Sequence, residues 1–386
     1  MLRDFLPVAR PSVTEAEIQE VCDALRSGWI TSGPRVLAFE KAFAEHVGAR
    51  HAVAVTSATS GFHILFRALE IGPGGEVVTP SLTWPSAVNM IELAGARPVF
   101  ADVDRSTFQL DPESVERVLS PRTRAVVPVH FAGQPSDLDA LRSLCLDRGL
   151  VLVEDAAHAV GTEHRGSRIG SGGNPAVFSF HAIKNLTTGE GGMITTNDDA
   201  LRDRLLSLRF HGVTQDAWKR HAGGRPGGYD LLEPGFKHNL TDIQAAIGIV
   251  QLRRQEEIRA RREALAQLYD RLLSEVPELE RPRGVAYPHR HAWHLYQVLV
   301  DRDRTGLSRD ELRDELRRRN VGTGLHFLAV HELEYYRKRY PIPAGSLAAT
   351  EHIARRTMSL PLFPDLREED VRAVVGELQE ILRGRR

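Results

Sequence analysis

Hydrophobic positions change their spacing in an ordered way along the chain. Thr14 and Glu17 have the spacing of a capping box, Ile18, Val21, Cys22 and Leu25 share one helical face, and Gly28 closes the segment. A second helix is predicted over residues 36–47, with Phe39 and Phe43 turned inward. Apolar runs of strand length then alternate with amphipathic stretches. The pattern predicts strands over residues 51–55, 76–79, 98–103, 125–129 and 150–154. Between them it predicts helices over 60–69, 85–93, 112–119 and 136–147. Short apolar strands separated by helices indicate an α/β fold with a mostly parallel sheet covered on both faces. Two further strands, near 176–180 and 192–195, follow each other without a long helix, which predicts that part of the sheet is antiparallel.

From about Thr241 the pattern changes. Residues 242–276 read as one long helix without proline. A strand near 295–300, a helix over 310–319 capped by Ser308 and a last helix over 368–382 follow. The expected division is a large domain over residues 1–245 and a smaller α+β domain over 246–386.

Composition narrows the partners. The 386 residues carry 50 Lys and Arg against 51 Asp and Glu, a formal net charge of -1. That balance gives no electrostatic reason to expect nucleic acid or an anionic membrane. The arginines at 253, 254, 259, 261 and 262 alternate with glutamates and read as a solvated helix face. The two cysteines, Cys22 and Cys145, exclude a disulfide framework, and with no apolar run suited to a signal peptide or a membrane span the expected compartment is the cytoplasm. His291-Ala-Trp-His294 invites a metal reading, but no Asp or Glu stands beside it at ligand spacing, so no metal is expected.

Four features carry candidate chemistry. The turn Thr56-Ser-Ala-Thr-Ser-Gly61 lies between a predicted strand and a predicted helix, where small residues and free N–H groups suit a phosphate; alone, it reads as an ordinary helix cap. Trp84 sits in a loop after a strand and can stack on a flat ring, though an isolated tryptophan there is as well explained by packing. Asp155 ends an apolar strand, on the edge where open α/β sheets bind ligands. Lys184 lies among small and apolar residues, where desolvation lowers the pKa of an amine and frees it as an imine former. Their order decides the reading. A phosphate turn, a stacking aromatic, an aspartate and, 29 positions after it, a lysine supply what pyridoxal 5'-phosphate requires.

At these residues the chain resembles the sugar aminotransferase family of fold type I. The likeness runs from Ser27-Gly-Trp-Ile-Thr-Ser-Gly-Pro34 through Thr79-Pro-Ser-Leu-Thr-Trp84, Pro128-Val-His130 and Glu154-Asp-Ala-Ala157 to Lys184-Asn-Leu186 and Glu190-Gly-Gly192. Within the family, the branch making UDP-4-amino-4-deoxy-L-arabinose is most similar. That likeness lies in Ser179-Phe-His-Ala-Ile-Lys-Asn-Leu186, Pro234-Gly-Phe-Lys-His-Asn-Leu-Thr-Asp242, His291-Ala-Trp-His-Leu295, Gly322-Thr-Gly-Leu-His-Phe327 and Ser359-Leu-Pro-Leu-Phe-Pro-Asp365.

The resemblance implies roles. Lys184 is the Schiff-base lysine, Asp155 pairs with the pyridine nitrogen, and Trp84 stacks on the ring. Ala58, Thr59 and Ser179 hold the phosphate, and His158 stands where many members have Gln, near the ring hydroxyl. The family loop Gly-Tyr-Asn-Tyr-Arg reads here Gly235-Phe-Lys-His-Asn239, which leaves open whether Lys237 or Asn239 reaches the phosphate of a partner subunit. A homodimer with shared sites is implied, with L-glutamate and 2-oxoglutarate as the amino donor pair. The implied acceptor is a nucleotide sugar, a UDP-linked 4-keto-pentose of lipid A modification or another keto-sugar. His326 and His331 are candidates for the sugar or glutamate pocket, with a core role as the alternative. The dehydratase branch of the fold has His at the lysine position, so Lys184 argues against it, and the surviving chemical residues argue against a non-catalytic sugar-binding protein.

Overall fold

A computed structural model describes residues 3–213 and 230–384. Strands β1 (His51–Val55), β2 (Glu76–Pro80), β3 (Arg97–Ala101), β4 (Thr123–Val126), β5 (Val151–Leu152), β6 (Glu154–Asp155), β9 (Ala176–Ser179) and β10 (Gly192–Thr196) build the principal sheet. Their order is β3-β2-β4-β5 in one half and β1-β10-β9-β6 in the other. The halves meet because β5 and β6 are one stretch of chain interrupted at Val153, and Val129 bridges Asp155 in parallel. All pairs are parallel except β1–β10 and β10–β9, so β10 alone runs against its neighbours. This is the antiparallel element expected from the close spacing of the last two strands. Small strands β7 (Glu163–His164) and β8 (Ser167–Arg168) pair with β12 (His289–Arg290) in a separate sheet that the hydrophobic pattern does not reveal.

Helices α1 (Glu15–Arg26), α2 (Pro34–Val47), α3 (Ala58–Ala68), α4 (Ser86–Leu93), α5 (Pro112–Val118), α6 (Leu138–Arg148) and α7 (Asp199–Leu208) cover the sheet or its edges. Phe39 and Phe43 of α2 are fully buried against Phe178 and Phe180. The capping box of α1 forms as expected, but Ile18 and Leu25 remain about half exposed, and the buried residues of that helix are Glu17 and Ala24. The apolar face of α1 is thus not turned into this chain's core.

The long helix predicted over 242–276 is two helices, α8 (Asp242–Arg253) and α9 (Gln255–Leu273), joined at Arg254. Arg254 adopts φ -92°, ψ 3°, and its guanidinium is drawn to Glu17 of α1 at 2.8 Å. Nor is the arginine-rich stretch wholly solvated. Arg262 is 2% exposed and donates to the carbonyls of Trp293, His294 and Leu362. A second hydrophobic core lies between α9, the strands β11 (Leu279–Glu280), β13 (Tyr296–Val300) and β14 (Thr357–Leu360), and the helices Arg309–Arg318 and Glu368–Arg383. Ser308 caps the first of these helices through the N–H of Glu311.

Candidate active site

The parallel strands deliver their chemistry-bearing residues to one edge, the C-terminal edge of the sheet. The first such residues follow β1. Ser57 is the N-cap of α3, and its hydroxyl accepts from the N–H of Ser60 at 3.0 Å. The N–H of Gly61 returns to the Ser57 carbonyl. The N–H groups of Ala58 and Thr59, in the first helical turn, have no intrahelical partner by geometry. Gly192 on β10 packs directly beneath this turn. A Cβ there would lie 2.6 Å from the Ser57 carbonyl carbon and 2.7 Å from the Ala58 nitrogen. The turn is held by a contact that only glycine permits, and it presents two free donors at the positive end of a helix, an anion cradle.

Asp155, at the end of β6, is 5% exposed. Burial pushes its carboxyl above the usual range, against the Ala157 N–H at 3.0 Å and the positive charge of Lys184. An acid so placed would be stabilised as an anion by a further cation. Beneath it lies a buried network. Glu154 accepts from His130 Nε2 at 3.2 Å, from Asn174 at 3.0 Å and from Arg142 at 3.4 Å. Burial alone would raise Glu154, but these partners outweigh it and hold the carboxyl below its ordinary value. His130 Nδ1 accepts from the Ser136 N–H at 3.0 Å, which leaves Nε2 to donate to Glu154. The backbone N–H of His130 bonds the Asp155 carbonyl, so the network fixes the strand that carries the aspartate.

Lys184 lies beyond the end of β9, in the turn that follows Ser179 and Phe180. Desolvation draws its ammonium down to about 8, with the Asp155 charge opposing the shift. Ser179 is buried, and its hydroxyl accepts from the His181 N–H at 3.4 Å. Trp84 is 64% exposed and meets the Phe327 ring at a tilt, 6.1 Å away, so much of its indole face is open.

His158, three residues after Asp155, is 6% exposed, and its Nδ1 is buried with no hydrogen-bond partner. Its ring stacks on Phe327 and lies 4.3 Å from the ring of His294. His326 joins the cluster, with its Nδ1 on Ser359 at 2.8 Å and its pKa drawn to about 4 by burial and by Lys184. His331 does not. Its ring bonds Ser81 at 2.7 Å, and its charged neighbours are Glu332, Glu351, Asp102 and Arg355, so it has the setting of a satisfied core histidine. Lys237 and Asn239 also separate. Asn239 is buried and donates to Ser32 at 2.6 Å within its own chain. Lys237 is exposed, with its ammonium 4.0 Å from the centre of the Phe210 ring. Asn185 and Phe327 line the site without having been singled out by residue type, and His294 is weighed in the sequence only as a metal ligand. The sequence signal that brings them to this site is membership of the quoted strings around Lys184, His291 and His326.

An anion cradle, an open indole face, a buried aspartate, an unpaired ring nitrogen and a desolvated lysine on one sheet edge fit pyridoxal phosphate. The sequence profile of the DegT/DnrJ/EryC1/StrS aminotransferase family matches residues 11–379. The chain belongs to this family. It is therefore a pyridoxal-phosphate-dependent sugar aminotransferase acting on nucleotide sugars, on fold type I. The aminotransferase TlmJ from Streptoalloteichus hindustanus is 36% identical, with 98% of this chain and 99% of that one covered and a TM-score of 0.90. DesV of S. venezuelae, solved in complex with a ketimine intermediate, is 35% identical over 95% of this chain and 94% of its own, with a TM-score of 0.86. DesI, solved in the presence of its TDP-sugar product, is 34% identical over 100% and 95%, with a TM-score of 0.87. Among the described residues of this aminotransferase no helix is long and apolar enough to cross a membrane, and no group of three or more His, Cys, Asp or Glu is arranged to hold a metal ion.

Proposed function

We propose that the chain transfers the amino group of L-glutamate to the C4 ketone of a UDP-linked 4-keto-pentose, giving UDP-4-amino-4-deoxy-L-arabinose and 2-oxoglutarate. The reaction class rests on one observation, a desolvated Lys184 whose charge is coupled to a buried Asp155 at the C-terminal edge of the sheet. The choice of sugar is supported by the long strings shared with the arabinose branch, above all Ser179–Leu186 and Gly322–Phe327.

When bound, pyridoxal phosphate supplies a conjugated ring that accepts the electron pair released at the reacting carbon. The N–H groups of Ala58 and Thr59, with the hydroxyl of Ser179, bind the phosphate. Trp84 covers one face of the ring and excludes water from it. Asp155, as the anion, keeps a proton on the ring nitrogen, and His158 faces the ring hydroxyl. The Lys184 amine takes the proton from the α-carbon of glutamate in the first half of the cycle and delivers one to C4 of the sugar in the second. His326, beside this cluster, is placed for the sugar or the donor carboxylate. In the same reading two copies of the chain share their sites, and the exposed Lys237 of each reaches the other's phosphate as a point charge. The pinned Asn239 serves its own chain.

A second reading, a dTDP-linked 4-keto-6-deoxyhexose, is favoured by the TDP-sugar product of DesI. A half-reaction separates the two. Protein loaded with the cofactor is treated with glutamate until its visible band is lost, then given each keto-sugar separately. Return of the band with the pentose alone supports the arabinose reading. Return with the hexose alone moves the substrate to the second reading, and return with neither rejects both.

A further inference from the structure

His158 is the residue through which the cofactor's ring oxygen is addressed in the reading above, yet in this chain nothing hydrogen-bonds to its Nδ1. A buried ring nitrogen without a partner costs about 1–3 kcal/mol. What holds the imidazole is a set of rings. Phe327 stacks on it at 5.9 Å and 25°, Phe131 meets it at 6.2 Å and 60°, and His294 lies nearest at 4.3 Å and 39°. Two of these are hydrocarbon walls. The third is a histidine, whose state depends on its own partners.

Those partners leave His294 no freedom. Asn185 follows Lys184 directly in the chain and is 3% exposed. Its Nδ2 donates to the Ala292 carbonyl at 2.6 Å, and its Oδ1 faces His294 Nδ1 at 3.1 Å. The Ala292 carbonyl can only accept, so the amide cannot be turned over without setting two oxygens against each other. The oxygen facing His294 likewise can only accept. The proton of His294 therefore sits on Nδ1. On the other side, Arg262 grips the His294 carbonyl at 3.4 Å and fixes the backbone. The charged and titratable groups facing His294 are His158, Lys184, Arg262 and His326, and facing His158 they are His294, Lys184 and His326. All are cationic or neutral, and burial acts in the same direction, so both rings are held uncharged.

We propose that Asn185 and His294 are a positioning pair, which fixes the proton of His294 on Nδ1 and sets its ring as the wall that orients a neutral His158 toward the cofactor's ring oxygen. The pair couples the residue next to Lys184 to the residue three beyond Asp155, through a loop more than a hundred positions downstream. It rests on the cofactor and not on which sugar is aminated.

The test uses full-length protein with no substrate. In the first arm, wild-type protein labelled with 15N-histidine is examined by NMR with and without pyridoxal phosphate, the His294 signal being assigned by its loss in His294→Phe. The expected result is a neutral His294 protonated at Nδ1 from pH 6 to pH 8. An Nε2-protonated ring, or a ring that titrates near its ordinary pH, overturns the proposal without recourse to any variant's behaviour. In the second arm, the pH midpoint of the bound cofactor's visible band is measured. A donor to the ring oxygen favours the deprotonated form, so losing it raises the midpoint. Asn185→Leu and His294→Phe are expected to raise it by about one unit, in the direction of His158→Phe. His294→Phe keeps an aromatic wall and loses only the hydrogen bond. If it leaves the midpoint at the wild-type value while His158→Phe moves it, His294 is packing alone and the proposal fails. A wrong sugar assignment would leave both arms unchanged.

Discussion

Between pH 6 and pH 9 the charge on Lys184 governs whether the site can capture its cofactor. Only the neutral amine is a nucleophile. With its pKa drawn to about 8 by desolvation, roughly a tenth of the lysine is neutral at pH 7, whereas an ordinary lysine would be neutral in well under a thousandth of molecules. Because the folded-state value is lowered, the neutral fraction climbs through pH 8 and is complete well before pH 10. The rate at which cofactor-free protein binds pyridoxal phosphate, followed by stopped-flow absorbance, should rise about tenfold per pH unit from pH 6 to 7 and level off above about 8. A rise still continuing at pH 10 would contradict the desolvated setting of this side chain. Lys184→Ala and Lys184→Arg should abolish turnover, and appreciable turnover in either would remove the residue from the reaction. What the chain reveals at this scale is the identity of such residues, because a turn, a strand end and a lysine among small residues are local patterns. It does not reveal their walls. His294 and Phe327 reach His158 from positions far along the chain, and the spacing of His291 and His294 reads locally as a metal motif with a ligand missing.

Elements set where those residues stand, and the most demanding contact joins β10 to the first turn of α3. Gly192 lies so close to Ser57 and Ala58 that an alanine would need the turn to move by several tenths of an ångström. Backbone atoms cannot swing aside as a flexible side chain can. Gly192→Ala should therefore weaken cofactor binding at least about tenfold, read by equilibrium absorbance, with circular dichroism unchanged, because one displaced donor in a phosphate cradle forfeits a charge-assisted hydrogen bond. Unaltered affinity would mean that the turn relaxes freely. The alternation of strands and helices that positions this turn was legible, since each strand of the parallel half is a short apolar run. The break at Arg254 was not. No proline or glycine marks it, and the side chain at the break pairs with Glu17 of α1, a long-range contact that leaves no trace in local spacing. The burial of Arg262 escaped for the same reason. Its acceptors are carbonyls, which every residue has.

At the scale of the molecule, the apolar residues that stay outside are as informative as those inside. Ile18 and Leu25, on the apolar face predicted for α1, are each about half exposed, and so are Ile30 and Leu37 on or near α2. Periodicity reports which face avoids water, not whether this chain or a second copy covers it. If two copies share their sites, with Lys184 from one and Lys237 from the other, inactive variants should complement each other. In a Lys184→Ala homodimer both sites lack the reacting amine, and in a Lys237→Ala homodimer both lack the charge supplied from across the interface. Unfolding and refolding an equal mixture produces mixed dimers in about half of the population, each with one doubly defective site and one intact site. Activity should then return to roughly a quarter of the wild-type value, although each variant alone has lost turnover or most of its cofactor affinity. A mixture no more active than the mean of its two components would show that Lys237 serves the site of its own chain or none. Sedimentation of the wild-type protein as a single-chain species would reject the shared site outright. Recovery near a quarter would join the open face of the N-terminal helices and the exposed side chain of Lys237 in one account of why a single chain leaves both uncovered.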